Sequence, residues 1–214
     1  PLRGSVTEHT GSASLYLVPC SPEFDYRRKD LPLQVQYVGP CLWNKPFDQH
    51  APDWLATLRT DQPWVHVTEG TVHVDKPLVL RAAAQGLANL HLQVIMTAGG
   101  NRNPAELELG PIAPNVHLAD WIPHSDLPRT DVLVTTGGAG TVLAALSAGV
   151  PLVIVPTEWD KPEIARRVVE AGAGIRIAPW RCTPKRLRAA VETILATPAF
   201  KENVRNVQNS FARY

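Results

Sequence analysis

A short apolar run, a glycine-rich turn and a helix follow one another between residues 131 and 151. Asp131–Val134 is typical of a short buried strand, and Thr141–Ala148 is typical of a helix that Gly149 and Pro151 close. Glycines in the turn 135–141 let the backbone approach a ligand, and the first N–H groups of a helix point toward an anion. The unit therefore favours a phosphate site, with a nucleoside diphosphate as the natural ligand. A turn built only for packing is the alternative.

Strand-like and helix-like segments alternate along the rest of the chain. Short apolar runs predict strands, and longer segments with apolar residues at helical spacing predict helices. The predicted strands are 15–18, 35–38, 64–68, 92–96, 115–118, 131–134, 152–155 and 174–177. The predicted helices are 52–58, 76–90, 141–148, 162–171, 183–196 and 201–213, with Thr183 as an N-cap and Pro198 as a break. This order predicts a single Rossmann-like α/β domain, a parallel sheet with helices on both faces.

Polar and glycine-rich loops follow several of the predicted strands. Because the carboxyl ends of parallel strands meet at one edge of a sheet, ligands of such sheets bind there. The loops are 69–71, 99–100, 121–124, 135–141 and 159–161. Their clustering strengthens the prediction of a phosphate site. The glycine spacing matches neither G-x-G-x-x-G nor the P-loop, so dinucleotide binding and ATP hydrolysis lose support.

Composition bounds the size, the partners and the setting of the protein. The chain has 214 residues, of which 44% are hydrophobic, enough for a core and at most two small domains. A net charge of +1 favours neither nucleic acid nor membrane binding, and no apolar run is long enough to span a membrane. Three widely separated cysteines form no metal-ligand set, so we expect a reduced, cytoplasmic setting. The sequence begins with Pro1, and a fragment or a processed chain is expected.

Four ordered blocks of the sequence resemble the nucleotide-sugar signature of family 1 glycosyltransferases, which have the GT-B fold. The blocks are Trp121–His124, Thr136–Thr141, Ala148–Pro151 and Asp160–Lys161. The segment 160–175 is most similar to the bacterial macrolide-type and natural-product enzymes. The likeness covers nearly the whole chain, but it corresponds only to the C-terminal half of such an enzyme.

The resemblance implies that this half binds a nucleotide-sugar donor, with UDP or TDP as the nucleotide and with no cofactor or metal. It implies an inverting transfer of the sugar to the hydroxyl of a small-molecule acceptor. The acceptor site and a histidine base would lie in a separate N-terminal half. Residues 1–14 would be a lead-in, 15–198 the donor-binding domain, and 199–214 a helix that crosses to the other half. The isolated chain would bind a donor and transfer little or nothing.

The resemblance also implies roles for individual residues. Trp121 would stack on the nucleobase, with a buried core tryptophan as the alternative, and the backbone of Ile122 would contact the base edge. The diphosphate would lie on the glycine turn. The implied donor-binding residues are Thr71, Trp121, Ile122, His124, Thr136, Gly137, Gly138, Gly140, Thr141, Asp160 and Lys161.

Asp160 and Lys161 match the pair that contacts the sugar in the family, where the second residue is commonly glutamine. Asp160 would accept hydrogen bonds from sugar hydroxyls, and Lys161 would bind a hydroxyl or a phosphate oxygen. A solvated charge pair at the start of a helix is the alternative, because the helix dipole favours an aspartate there. Glu69, in the first of the loops, could approach the sugar or the acceptor.

Three positions depart from the pattern of the family. Thr136 stands where many members have a histidine that touches the diphosphate, and its hydroxyl carries no charge. Ala144 stands where a glutamate commonly binds the ribose, which a methyl group cannot do. His124 replaces a frequent glutamine. These departures leave the sugar and the nucleobase of the donor open.

Two other functions remain as alternatives. The chain could be the natural donor-binding subunit of a two-chain glycosyltransferase, for which an exposed apolar face would be evidence. It could instead be a nucleotide-sugar epimerase or a nucleotide-binding module without transferase activity, although the catalytic acids of such an epimerase are not evident. Association into a homodimer is left open. His66 and His117 alternate with apolar residues in predicted strands, so we expect packed or surface side chains rather than catalysts.

Overall fold

The computed structural model describes residues 13–26, 29–42, 52–71, 76–100, 102–123 and 129–214. The first two strands, β1 (Tyr16–Val18) and β2 (Val35–Tyr37), pair in parallel with each other. Within the described residues, six further strands form one parallel sheet: β3 (Trp64–Thr68), β4 (Gln93–Thr97), β5 (Val116–Ala119), β6 (Val132–Thr135), β7 (Leu152–Ile154) and β8 (Gly174–Arg176). The predicted strands are confirmed, with their ends shifted by about one residue at most.

The α-helices that the structure describes are α1 (Leu78–Gly86), α2 (Ala139–Ser147), α3 (Lys161–Glu170), α4 (Pro184–Ala196) and α5 (Pro198–Phe211). The predicted N-cap of α4 is confirmed, since Thr183 Oγ1 accepts a hydrogen bond from Arg186 N at 3.3 Å. None of the helices in the described part of the chain is both long and apolar enough to cross a membrane.

Three helical segments differ from the prediction. The first is a 3-10 helix, Asp53–Thr57, rather than an α-helix. The second, α1, is shorter than predicted, because it begins only after Pro77 and ends before Asn89, which adopts a φ of 57°. Pro198 ends α4 and is also the first residue of α5, where a proline is favourable because the first N–H of a helix has no intrahelical partner.

The helices cover the sheet on both faces. α1 and α4 pack over one face, on alternate side chains of the central strands such as Val65, Val67, Val132 and Val134. α2, α3 and α5 pack over the other face, where Leu133 belongs to a second core. Because side chains alternate between the two faces along a strand, the same short strands supply both cores. The predicted fold class is therefore confirmed.

A thinner layer covers the second face of the sheet at β3, β4 and β5. There Leu55 and Leu58, in and just after the 3-10 helix, pack against Trp64, Ile95 and Ile122. A 3-10 helix of five residues is shorter than the α-helices that cover the rest of this face. The cavity described below adjoins this layer, since Ile122 lines both.

The strands lie in the order β5-β4-β3-β6-β7-β8. The chain runs outward from β3 through β4 to β5, returns to the middle of the sheet, and then runs outward from β6 to β8. The connections that follow β3 and β6 therefore leave toward opposite sides of the sheet. In sheets of this kind a crevice opens at that point, at the carboxyl ends of the two strands.

The β1–β2 pair rests on the helical layer formed by α2, α3 and α5. Phe24, which follows β1, packs edge-on against Phe211 of α5 with ring centroids 5.8 Å apart. The hydroxyl groups of Ser21 and Ser210 lie 2.7 Å apart in the same buried contact. These contacts attach the last helix to the segment that follows β1. That α5 would reach a second half of a longer protein stays a prediction.

Candidate functional site

A cavity of about 280 Å³ lies at the carboxyl ends of β3, β4 and β6, where the order of the strands reverses. This is the edge of the sheet at which the sequence predicts a site. The predicted donor-binding residues that line the cavity are Thr71, Trp121, Ile122, Gly138, Gly140, Thr141 and Lys161. The fold thus brings together loops that are as far as 90 residues apart in the sequence (71 and 161).

The turn between β6 and α2 contains one glycine that packing requires and two that it does not. Gly137 has a φ of 92°, and a Cβ there would lie 2.8 Å from Ile154 Cγ2, so a larger residue is strained. A Cβ on Gly138 or Gly140 would meet no atom within 4 Å. Packing alone explains Gly137 but not the other two glycines. Their missing side chains leave the start of α2 accessible to a ligand.

The start of α2 favours an anion. Gly138 is the N-cap, with φ −61° and ψ 136°, and the first intrahelical hydrogen bond runs from Val142 N to Gly138 O at 3.0 Å. The N–H groups from Ala139 to Thr141 therefore precede the helical ladder. No acidic side chain occupies the first turn of this fully described helix. The N–H groups and the positive end of the helix dipole together suit a phosphate.

Lys161 brings a buried cation to the cavity. It is the first residue of α3, its exposed fraction is 5%, and its Nζ donates a hydrogen bond to Thr157 Oγ1 at 3.1 Å. Burial lowers the pKa of the ammonium group from its usual value, while the nearby carboxylates of Asp160, Glu158 and Glu69 act in the opposite direction. An anion in the cavity would further favour the charged form.

Asp160 does not line this cavity, although it precedes Lys161. It is exposed at the N-cap position of α3, and its side chain makes no capping hydrogen bond. It lines a separate groove of about 190 Å³, beside Val142 and Leu143 of α2. The two members of the predicted sugar-contacting pair thus face different depressions, and only Lys161 reaches the cavity at the switch point.

Thr136 and Glu69 are engaged in hydrogen bonds within the protein. Thr136 is 3% exposed and its Oγ1 donates to the backbone O of Glu69 at 3.0 Å, so the hydroxyl predicted to touch the diphosphate instead holds the loop after β3. The Glu69 carboxylate accepts hydrogen bonds from Val79 N at 2.8 Å and from Arg102 Nη2 at 3.0 Å. Glu69 therefore joins this loop to α1, a structural role that the sequence did not predict.

The end of the cavity near β5 is aromatic. Trp121 follows β5, is half-buried, and has its Cε3 3.5 Å from the position of a Cβ on Gly100. The side chain of Ile122 is buried in the thinner layer and also lines the cavity. A half-buried indole at a cavity wall suits stacking on a planar ligand better than the alternative of a core tryptophan. His124 lies outside the described residues, and its role stays a prediction.

Ala144, the departure noted at the ribose position, points into the core. It is 4% exposed and belongs to the cluster beneath α2. Gly137 likewise does not line the cavity. Its role is to give the turn a backbone conformation with a positive φ. Neither residue contributes a surface to the cavity described here.

His66 lines the cavity, where the sequence predicts a packed or surface side chain rather than a site residue. Its Nε2 lies 3.1 Å from Thr97 Oγ1, and both residues face the cavity from neighbouring strands. The sequence could have indicated this position for His66, because alternation along a strand puts His66 and Thr68 on the same face of β3. His117 is packed as predicted, stacked on Trp54 with centroids 5.3 Å apart, and burial lowers its pKa. In the described part of the chain, no three His, Cys, Asp or Glu residues cluster as a metal site would need.

The strand order, the two helical layers and the cavity at the switch point define a Rossmann-like α/β domain. The family described as "Erythromycin biosynthesis protein CIII-like, C-terminal domain" matches residues 81–213. The chain belongs to this family.

Curated relatives carry the names of glycosyltransferases and of related synthases. The chain is 36% identical over 211 residues to 4'-demethylrebeccamycin synthase of Lentzea aerocolonigenes, covering 98% of this chain and 49% of the relative. It is 26% identical to demethyllactenocin mycarosyltransferase of Streptomyces fradiae, covering 100% of this chain and 44% of the relative. The chain thus spans about half the length of the curated relatives it matches.

Solved structures of glycosyltransferases share the fold. The calicheamicin glycosyltransferase CalG4 is 34% identical with a TM-score of 0.76, covering 93% of this chain and 49% of that one. The glycosyltransferase VinC, solved in complex with DTDP, is 28% identical with a TM-score of 0.77, covering 92% and 48%. The predicted resemblance to the C-terminal half of natural-product GT-B enzymes is therefore confirmed.

Proposed function

We propose that this chain is the nucleotide-sugar donor-binding half of a glycosyltransferase of natural-product biosynthesis. The complete enzyme transfers a sugar from a TDP- or UDP-sugar to a hydroxyl group of a small-molecule acceptor. One observation carries the proposal: Gly138 and Gly140 are glycines that packing does not require, and they leave the start of α2 open to the cavity. The DTDP complex of a relative supports a thymidine nucleotide as the first candidate.

The cavity offers contacts for the base and for the diphosphate of a nucleoside diphosphate. The base stacks on Trp121, and the diphosphate accepts hydrogen bonds from the N–H groups at the start of α2 and from the hydroxyl of Thr141. Lys161 places a positive charge beside the same cavity. Thr71, on the loop after β3, also lines the cavity.

These groups also suit the chemistry of transfer. When the bond between the sugar and the diphosphate breaks, negative charge accumulates on the leaving nucleoside diphosphate. Donors that already point at this position stabilise the charge in the transition state without reorganising. The helix start and the Lys161 ammonium supply the positive potential that a metal ion provides in other enzymes. We therefore propose a transfer that requires no metal and that, as the family resemblance implies, inverts the anomeric centre of the sugar.

A second half of the enzyme supplies the acceptor site and the base that deprotonates the acceptor hydroxyl. The relatives are about twice as long as this chain, which supports such a half. The side chains of Leu15, just before β1, and of Tyr16 and Leu17, on β1, are exposed, and an apolar surface of this kind suits a covering partner. The half precedes this chain in the same polypeptide or, as a second candidate, is a separate subunit. Cys20, Cys41 and Cys182 are free, which suits a reducing cytoplasm.

Calorimetric titration with TDP, UDP and ADP tests the proposal. We expect saturable binding of TDP or UDP and much weaker binding of ADP. Gly138→Val should abolish binding because its side chain fills open space in the site, and Trp121→Ala should weaken it by about tenfold because the stacking surface is lost. Absence of binding by all three nucleotides to the wild-type chain would overturn the proposal.

A further inference from the structure

Trp159 is an exposed indole held in a backbone conformation that suits glycine. It lies in the loop between β7 and α3, its exposed fraction is 82%, and its φ is 61°. Lys161 N donates a hydrogen bond to Glu158 O at 3.3 Å, and Asp160 has φ −79° and ψ −10°. These values place Trp159 at the first corner of a turn of the type II′ class. Glycine dominates that corner because it tolerates a positive φ.

Neither packing nor turn chemistry explains a tryptophan at this corner. A bulky side chain with a positive φ is strained, and such strain concentrates at functional sites. Burial of the Trp159 side chain offsets little of this strain, because most of its surface stays in water. A tryptophan at this position is unfavourable for the turn and largely exposed in the free protein. A ligand that covers the indole would explain its presence.

The position of Trp159 relates it to the donor. Trp121 follows β5, the start of α2 follows β6, and Trp159 follows β7, so the three lie in that order along the carboxyl edge of the sheet. A nucleotide sugar is a linear molecule of base, diphosphate and sugar. With the base at Trp121 and the diphosphate at α2, its sugar points toward the loop after β7, which is the strand next to β6.

The size of the cavity agrees with this direction. Its volume of about 280 Å³ lies at the lower limit of about 300 Å³ for pockets that enclose small molecules. A donor seated there therefore extends beyond the cavity at one end. Lys161, which lines the cavity, stands two residues after Trp159, so the loop that carries Trp159 adjoins the cavity through Lys161.

We propose that the indole of Trp159 is the surface on which the transferred sugar stacks. The inference rests on the proposed donor-binding function and adds a sugar-contacting residue to it. An aromatic ring packs well against the C–H face of a hexose ring and excludes water from it. The preferred sugar is therefore a hexose with an uninterrupted C–H face, and Trp159 contributes to affinity for the sugar but not for the nucleotide alone.

The test compares each nucleotide with its sugar conjugate. Calorimetry measures the dissociation constants of TDP, TDP-glucose, UDP and UDP-glucose for the wild-type chain and for Trp159→Gly, Trp159→Phe and Trp180→Ala. Trp180 is the matched control, since it is also 82% exposed and lies in the connection between β8 and α4. Trp159→Gly suits the turn better than the wild-type residue, so its melting temperature should be no lower than that of the wild type.

The expected result separates the sugar from the nucleotide. Trp159→Gly should weaken the binding of the sugar conjugate by about fivefold, the size of one aromatic contact, and should leave the free nucleotide unchanged. Trp159→Phe should retain most of the affinity, and Trp180→Ala should retain all of it. Two results overturn this inference but not the proposed function. In the first, Trp159→Gly binds the nucleotide and keeps the wild-type preference for the sugar conjugate over the free nucleotide. In the second, the wild type binds the nucleotide and shows no such preference. Absence of nucleotide binding overturns the proposed function and this inference with it.

Discussion

Gly137 and Gly138 are neighbours with opposite structural requirements. Gly137 combines a φ of 92° with a close approach to Ile154, while Gly138 has an ordinary φ of −61° and open space where its side chain would be. The sequence alone shows two adjacent glycines and cannot tell them apart. The distinction depends on β7, which brings Ile154 under the turn.

This difference predicts that alanine destabilises the protein at position 137 but has little effect at position 138. Gly137→Ala should lower the free energy of unfolding by about 2 kcal/mol, because the new Cβ is strained and meets Ile154. Gly138→Ala should change it by less than about 0.5 kcal/mol. Urea denaturation followed by circular dichroism measures both. Equal losses in the two variants would show that the turn needs both glycines for packing.

Lys161 should give nucleotide binding a dependence on pH. Burial lowers the pKa of its ammonium below the usual 10.5, and a bound diphosphate favours the charged form. Affinity for TDP should therefore be constant while the free lysine is protonated, and should fall as pH rises through the lowered pKa. Titrations from about pH 7 up to the usual lysine pKa of 10.5 should show this fall in the wild type but not in Lys161→Met. The same fall in Lys161→Met would assign the dependence to another group.

The helices and strands could be predicted largely from the sequence, because the hydrophobic pattern of each strand, the stop at Gly149 after α2 and the N-cap of α4 are local. Helix ends set by loop conformation, as at Asn89, and the 3-10 form of Asp53–Thr57 were not predictable in this way. The hydrogen bond from Thr136 to the backbone O of Glu69 joins residues 67 positions apart, and it changes the interpretation of the Thr136 side chain. The bonds from Val79 N and Arg102 to the Glu69 carboxylate do the same for Glu69. Such partners are decided by tertiary structure rather than by local pattern.

Glu69 connects the loop after β3 to α1, and removal of its side chain should destabilise the contact between this loop and the helix. Its side chain is 1% exposed and pairs with Arg102, which is 13% exposed. Glu69→Ala should lower the free energy of unfolding by about 3 kcal/mol, because it leaves the guanidinium largely buried without its partner.

Glu108→Ala is the control for that variant, since Glu108 is 88% exposed and lies 3.9 Å from Arg81. Glu108→Ala should lower the free energy of unfolding by less than about 0.5 kcal/mol. Chemical denaturation of both variants gives the comparison. A similar small effect of Glu69→Ala would contradict a structural role and would restore the predicted contact of Glu69 with a ligand.

On the scale of the whole molecule, the cavity is formed by loops from both halves of the sheet. Trp121 and Thr71 belong to the half that contains β3, β4 and β5, while Gly138 and Lys161 belong to the half that contains β6 and β7. A ligand in the cavity therefore contacts both halves at once. Because the ligand binds the folded chain and not the unfolded chain, it should raise the stability of the entire domain.

Thermal unfolding with TDP checks this coupling. At a TDP concentration of about 100 times the dissociation constant, stabilisation of about 2.7 kcal/mol should raise the melting temperature by roughly 5 to 10 °C. Gly138→Val should melt at the same temperature with and without TDP. A rise of equal size in Gly138→Val would place the nucleotide somewhere other than the start of α2.

The most direct measurement is a crystal structure of the chain with TDP bound. We expect the diphosphate on the N–H groups at the start of α2, the thymine against Trp121, and Lys161 within hydrogen-bond distance of a phosphate oxygen. A nucleotide bound instead in the separate depression beside Arg81 and Arg102, with the start of α2 exposed to solvent, would contradict it.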